Sequence, residues 1–293
     1  MRVKRALHWL PLVATTYVLV SVAVWFFQDR LIFVGANWSG ARKPLASQPQ
    51  VQVETLAVEA SEGEGLEAGF SFRIAWAEAP LRSMSAAATG KPNAQRAVLL
   101  FFLGNGQDLA SGVGIAATWA SYGLDALVVE YPGYGASGGR PSQLSILAAA
   151  ERAAGEAQQR AKARGLPCFV GGVSLGTFSA LHVARAGFDK VLLFAPPTSM
   201  VEAARRHYWW LPVGLLLRHR FDNLAAAASV PCPALVFHGT RDEVVPISMG
   251  RRVAAALGAK ASFVEVAGLG HWLPLEADGP LGERIAAFLK SPG

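Results

Sequence analysis

The distribution of apolar and polar positions divides the chain into an apolar head and a long alternating body. From Trp9 to Phe27 there is no charged residue. Nineteen residues at about 1.5 Å each make a helix of roughly 28 Å, enough to cross the hydrocarbon of a bilayer. A polar, proline-containing stretch at 36–50 reads as a linker. Two strand-like runs, 51–58 and 70–77, flank a glycine-rich turn at 61–69 and predict an antiparallel opening hairpin. After a second loop at 78–96, the continuous apolar run 97–103 begins a different pattern. Short runs rich in Val, Leu and Phe follow at 124–129, 168–173, 191–194, 234–237 and 262–266. They lack polar alternation, as parallel strands covered on both faces do. Helical stretches separate them at 109–121, 142–164, 175–186, 248–257 and 281–289. The order predicts an α/β fold: one open, mostly parallel sheet with helices on both faces. Segment 198–230 interrupts the alternation and, being helical and aromatic, reads as an insertion over a site. The expected organisation is an N-terminal anchor at 1–35, a linker at 36–50, and an α/β domain at 51–293 with a cap at about 198–230.

Composition narrows the class. With 52% hydrophobic and 16% charged residues in 293, the chain is too apolar for disorder and long enough for one large domain. Its net charge of +6 comes from scattered basic residues. No stripe of basic and aromatic side chains appears, so nucleic acid is excluded as the expected partner, and a membrane surface is favoured. Cys168 and Cys232 are too few for a disulfide framework or a cysteine zinc site, and free buried thiols are expected.

The apolar head has two readings, a cleavable signal peptide or a signal anchor. Signal peptides have a shorter apolar core and end in small residues. This run ends in Trp25, Phe26 and Phe27, which favours the anchor. Arg2, Lys4 and Arg5 precede it, so the positive-inside rule puts the N-terminus in the cytoplasm and the domain outside it, in the periplasm if the source is bacterial. Arg30, Arg42 and Lys43 weaken that asymmetry.

The pattern Gly-x-Ser-x-Gly occurs twice, around Ser174 and around Ser137. The chemistry requires a sharp strand-to-helix turn that lifts the hydroxyl above the sheet. Ser174 has a strand directly before it and an apolar helix directly after it. Ser137 is followed by Gly138, Gly139, Arg140 and Pro141, where no helix starts. Ser174 is therefore the expected nucleophile and Ser137 a loop residue. Gly133 to Gly138 also fits Gly-x-Gly-x-x-Gly, but lacks the helix and the acidic residue that a dinucleotide site requires.

A serine hydroxyl needs an imidazole to take its proton and a carboxylate to orient the imidazole. The expected chain order is Ser, acid, His. His271 follows the last strand on a loop free to cross the sheet's carboxyl edge, and is the expected base. The acid should follow the preceding strand, where Asp242 is preferred over Glu243; pairing with Arg241 is its bland alternative. His182, His207 and His219 have ordinary structural readings, and His238 reads as a buried hydrogen-bonding residue. Backbone amides must stabilise the oxyanion. Leu175, after the nucleophile, and Asn105, in the Gly-Asn-Gly loop after 97–103, are expected to supply them.

Together these residues resemble the α/β-hydrolase superfamily. Within it they resemble the single-span, membrane-tethered branch of lysophospholipid and monoacylglycerol lipases and protein depalmitoylases. The likeness runs from Phe27-Gln28-Asp29-Arg30-Leu31-Ile32-Phe33 through Phe102-Leu103-Gly104-Asn105-Gly106 to the long glycine loop Tyr131 to Ser142, then Phe221-Asp222-Asn223-Leu224 and the core His238-Gly239-Thr240-Arg241-Asp242. Leu103 stands where that branch usually has histidine. The resemblance implies a serine hydrolase of lipid or acyl esters or thioesters, with no metal or organic cofactor. Its partners would be the bilayer and a small acyl substrate. A catalytically silent, membrane-tethered interaction module is the competing class.

Overall fold

The computed structural model describes residues 9–37, 48–60, 66, 69–80, 96–272 and 280–291. Arg2, Lys4, Arg5, most of the expected linker and of the 61–69 turn, and the centre of the 78–96 loop lie outside them. The elements are α1 (Leu10–Ile32), α2 (Val34–Asn37), β1 (Val51–Val58), β2 (Phe70–Ala77), β3 (Ala97–Phe102), α3 (Leu109–Ser121), β4 (Leu124–Val129), α4 (Gln143–Arg164), β5 (Cys168–Val173), α5 (Gly176–Val183) and β6 (Lys190–Phe194). There follow α6 (Met200–His207), α7 (Val213–Leu216), α8 (Asn223–Ala227), β7 (Ala234–Gly239), α9 (Ile247–Leu257), β8 (Ala261–Val266) and α10 (Pro280–Lys290).

Eight strands form one sheet in the order β1-β2-β4-β3-β5-β6-β7-β8. The opening hairpin is antiparallel, β2 meets β4 antiparallel, and every later pairing is parallel. The apolar runs form strands because each buries both faces: β3, β4, β5, β6 and β7 are buried at every position. β8 corrects that expectation. It is an edge strand, and its residues are half-buried or exposed.

The helices show why they start and stop. Ser142 caps α4 in a reciprocal box with Ser145, and Gly165 ends the helix in the left-handed region. Between these, Ile146, Ala149, Ala150, Ala153, Ala157 and Ala161 form a stripe of helical spacing, small enough to lie close on the sheet. The core is centred on Phe101, Trp119, Phe194 and Phe237, with Phe194 and Phe237 stacked at 5.2 Å. Both cysteines are free and buried; burial and the nearby Asp189 push the Cys168 thiol up to about 12.

Helix α1 is long and apolar enough to cross a membrane. It is more than an appendage, because its C-terminal half docks on the domain. Gln28 is 2% exposed, donates to the Leu216 carbonyl at 3.1 Å and accepts from the Arg218 amide at 2.8 Å. Asp29 meets Arg218 and His219, each at 2.9 Å. Val20, Val24 and Ile32 pack on Leu211, Val213 and Leu217 of the insertion.

Candidate active site

The site is built from loops at the carboxyl ends of the parallel strands, where β5 passes into α5 within two residues. Ser174 occupies that turn with φ 52°, a left-handed conformation that costs a non-glycine residue roughly 1–3 kcal/mol. The surroundings enforce it. A Cβ at Gly172 would strike the Gly176 carbonyl, and one at Gly176 would strike the carbonyls of Phe102 and Leu103, so both glycines are required by close approach. The Ser174 amide donates to Phe194 O at 2.9 Å, while its carbonyl accepts from the amide and the hydroxyl of Thr177 at 3.0 and 2.6 Å. Asn223 donates to the Thr177 hydroxyl at 2.9 Å and to Pro197 O at 2.7 Å, tying the insertion to the turn. Phe221 stacks on Phe178 at 5.0 Å beside it. No local pattern signals the Asn223–Thr177 link, since its two residues lie in unrelated segments of the chain.

Asp242 and His271, the expected acid and base, are in contact. Asp242 Oδ2 lies 2.9 Å from His271 Nδ1, while Oδ1 accepts from the amides of Val244 and Val245 at 2.9 and 2.8 Å. The Asp242 side chain is wholly covered and that of His271 is 8% exposed. Burial alone would raise the carboxyl's pKa. Hydrogen bonds from His238, His271 and the Val245 amide outweigh it and hold Asp242 well below the usual carboxylate range. Glu243 and Arg241 are exposed, and neither side chain has a hydrogen bond or ion pair among the described residues. The loop after β8 is laid across the end of β7: Thr240 N donates to Val266 O at 3.1 Å, Arg241 N to Leu269 O at 2.9 Å, and Gly268 N to Thr240 Oγ1 at 2.9 Å.

Four other histidines take ordinary roles. His182 pairs with Glu151, His207 meets Val244 O, and His219 joins Asp29. His238 is buried, with Nε2 at 2.8 Å from Val245 O. The same nitrogen is 3.3 Å from Asp242 Oδ2, a contact that its place in the sequence did not reveal.

Among the described residues neither the Ser174 hydroxyl nor His271 Nε2 makes a hydrogen bond, so the nucleophile-to-base link is not closed in this structure. Such links are commonly long until substrate is bound. The amides of Asn105 and Leu175 likewise donate to no described residue, which leaves both available for an oxyanion. Gly104 lies close to Val173, so the Asn105 loop abuts the Ser174 turn. The rest of Asn105 is clamped: its Nδ2 donates to Ile32 O at 2.6 Å, its Oδ1 accepts from Tyr134 OH at 2.7 Å, and its carbonyl accepts from Gly35 N at 3.1 Å. Leu103, in place of the family's histidine, is buried and its carbonyl accepts from Tyr131 OH at 2.7 Å.

Ser137 sits in the glycine loop. Its hydroxyl donates to Glu130 Oε2 at 2.9 Å and accepts from Arg73 N at 2.9 Å. Glu130, 1% exposed, also takes the amides of Leu109, Ala136 and Ser137.

Known proteins resemble this chain over two thirds or more of its length. The uncharacterized protein Rv2307c of Mycobacterium tuberculosis is 30% identical over 279 residues, covering 94% of this chain and 91% of its own. Human alpha/beta hydrolase domain-containing protein 17B is 29% identical over 209 residues, 68% of this chain and 67% of its own. The lysophosphatidylserine lipase ABHD12 of Macaca fascicularis is 25% identical over 221 residues, 67% of this chain and 53% of its own. Among solved structures, the Pyrococcus furiosus esterase Pf2001 superposes with a TM-score of 0.63 at 13% identity, over 85% of this chain and 97% of that one. No protein-family model matches. The sheet order, the strained serine turn and these relatives together define the class: the chain belongs to the α/β-hydrolase superfamily.

Proposed function

We propose that this protein is a membrane-anchored serine hydrolase that cleaves a carboxylic ester or thioester of a lipid or acylated substrate. Ser174 attacks the carbonyl carbon while His271 takes its proton. Asp242 holds the imidazole in the tautomer that leaves Nε2 free, and the amides of Asn105 and Leu175 receive the oxyanion. Collapse of the tetrahedral intermediate expels the alcohol or thiol, protonated by His271. Water, activated by the same imidazole, then hydrolyses the acyl-enzyme. No cofactor enters this cycle. The observation that carries the reading is the covered Asp242–His271 hydrogen bond at the sheet edge where Ser174 stands strained. The lipid preference draws on the lipase among the relatives and on the apolar helix α1. With Arg2, Lys4 and Arg5 on the cytoplasmic side, the domain lies outside the cytoplasm.

A fluorophosphonate probe tests the mechanism. Labelling of the wild type, abolished in Ser174→Ala with a loss of about four powers of ten in ester turnover, is the expected result. The second reading, a silent interaction module, is favoured by the unclosed Ser174–His271 link. Absence of labelling on folded protein would support it.

A further inference from the structure

The insertion touches α1 far below the helix end. Tyr17 OH donates to Trp210 O at 3.1 Å, and Val20, Val24, Gln28 and Ile32 continue the same face up to the Ile32 carbonyl that holds Asn105. Those positions recur every three or four residues, so the insertion runs alongside the helix rather than across it. The apolar run ends at Phe27, ten residues beyond Tyr17. At 1.5 Å per residue that is about 15 Å, half of a hydrocarbon core of about 30 Å. A loop bonded to Tyr17 therefore reaches well into one leaflet if α1 spans the bilayer.

The loop's surface has the chemistry for that position. Trp209 is 81% exposed and Leu215 84%, with Tyr208 and Trp210 about half exposed. They adjoin α1, where Leu216 shares an apolar groove with the exposed Val18, Val22, Trp25 and Phe26. Such a contiguous apolar surface is not left in water without reason. Among the neighbouring charges, Arg205 and Arg220 reach back to Gly214, while Arg218 marks a boundary at the helix end. Arg218 bonds Asp29, just past the apolar run, and its guanidinium lies over the Trp25 ring at 5.3 Å. Long arginine stems reach headgroups while their carbon chains stay in apolar surroundings.

We infer that segment 208–217 of the cap is a membrane-inserting element, and that its partner is the bilayer leaflet that α1 enters. The inference rests on the anchored reading of α1 given above. The domain then sits partly sunk in lipid, held by the Gln28 and Asp29 clasp, instead of hanging from a flexible tether. An acyl substrate reaches the cap laterally from the leaflet without crossing water. The helix end, through Ile32 O and Asn105, is part of the wall of that site.

The test uses the full-length protein in phosphatidylcholine and phosphatidylglycerol vesicles with bromine on the acyl chains. The tryptophan emission of a Trp209→Phe, Trp210→Phe double variant is subtracted from that of the wild type. The expected result is a difference emission lost when brominated lipid replaces ordinary lipid. In a Leu215→Cys variant the introduced thiol should react with a membrane-impermeant maleimide in detergent and be protected in vesicles. Unquenched difference emission with that thiol reactive in vesicles, while the protein resists alkaline extraction, would overturn the inference and leave the anchor standing. Release on alkaline extraction would instead overturn the anchor reading itself, and the inference with it. Protection of the thiol with unquenched emission, accompanied by disulfide cross-linking between two Leu215→Cys chains, would assign the surface to a second copy of the chain and overturn the bilayer as partner.

Discussion

Two five-residue segments of this protein share the pattern Gly-x-Ser-x-Gly and have opposite fates. Around Ser174 the serine itself takes the left-handed backbone, at φ 52°, and its flanking glycines are there because a Cβ would collide with main chain. Around Ser137 the left-handed positions fall on glycines, Gly133, Gly135 and Gly139, and the serine is relaxed. The hydroxyls differ in the same sense. That of Ser137 is engaged by Glu130 and Arg73, whereas that of Ser174 is bonded to no described residue. One segment carries its strain at the serine and leaves its hydroxyl free. The other uses glycine to avoid strain and its hydroxyl to close a loop. The pattern therefore specifies a tight approach of backbones, and the element that precedes it decides which residue is strained.

The largest effect should come from Ser174→Ala, about four powers of ten in turnover with little change in melting temperature, since alanine bears the same φ strain. Ser174→Gly would lose the same activity but gain roughly 1 kcal/mol or more of stability in urea unfolding, because glycine adopts that φ freely. Equal stability of the Gly and Ala variants would refute the assignment of strain to Ser174.

Asp242→Asn should approach the same loss in turnover, measured as kcat on a soluble ester, by destroying the tautomer control of His271. Its acid response adds a second readout. The folded Asp242 carboxyl titrates below its unfolded value of about 3.9, so its hydrogen bonds contribute stability that is complete above about pH 4 and fades as the pH falls toward the lower, folded value. Wild-type stability should therefore decline more steeply below about pH 4 than that of Asp242→Asn.

Gly176→Ala forces a methyl onto the carbonyls of Phe102 and Leu103 and should cost about 1–3 kcal/mol in urea unfolding. Ser137→Ala is expected to be the mildest in turnover, which stays nearly unchanged, while loss of two hydrogen bonds, one of them to the buried Glu130 carboxylate, costs about 1–3 kcal/mol of stability. A catalytic collapse in Ser137→Ala would break the comparison outright.

Much of the fold and part of the site could be read from local pattern. The apolar runs marked every strand of the sheet to within a residue or two, and the capped stretch after Ser142 marked α4. The run at 262–266 misled as to burial: Phe263, Val264 and Val266 are only half-buried, and its two polar residues, Ser262 and Glu265, stand exposed at the sheet edge. The contact of Asp242 with His271 was legible because both follow strands whose carboxyl ends must share an edge. The second imidazole on Asp242, that of His238, was not, since a residue at a strand end shows no direction in the sequence. Nor was the clamp on Asn105, whose partners Ile32, Gly35 and Tyr134 come from separate segments.

Periodicity, turn chemistry and chain order are properties of neighbouring residues, and through them the sequence alone determined the layered sheet, the apolar helix and the turn that carries Ser174. Which buried carboxylate takes which donors, and how α1 lies along the cap, depend on pairings between residues up to 193 positions apart, as between Tyr17 and Trp210. Those were decided only when packing closed the domain, because a buried polar group accepts whichever partner the surrounding backbone brings within reach.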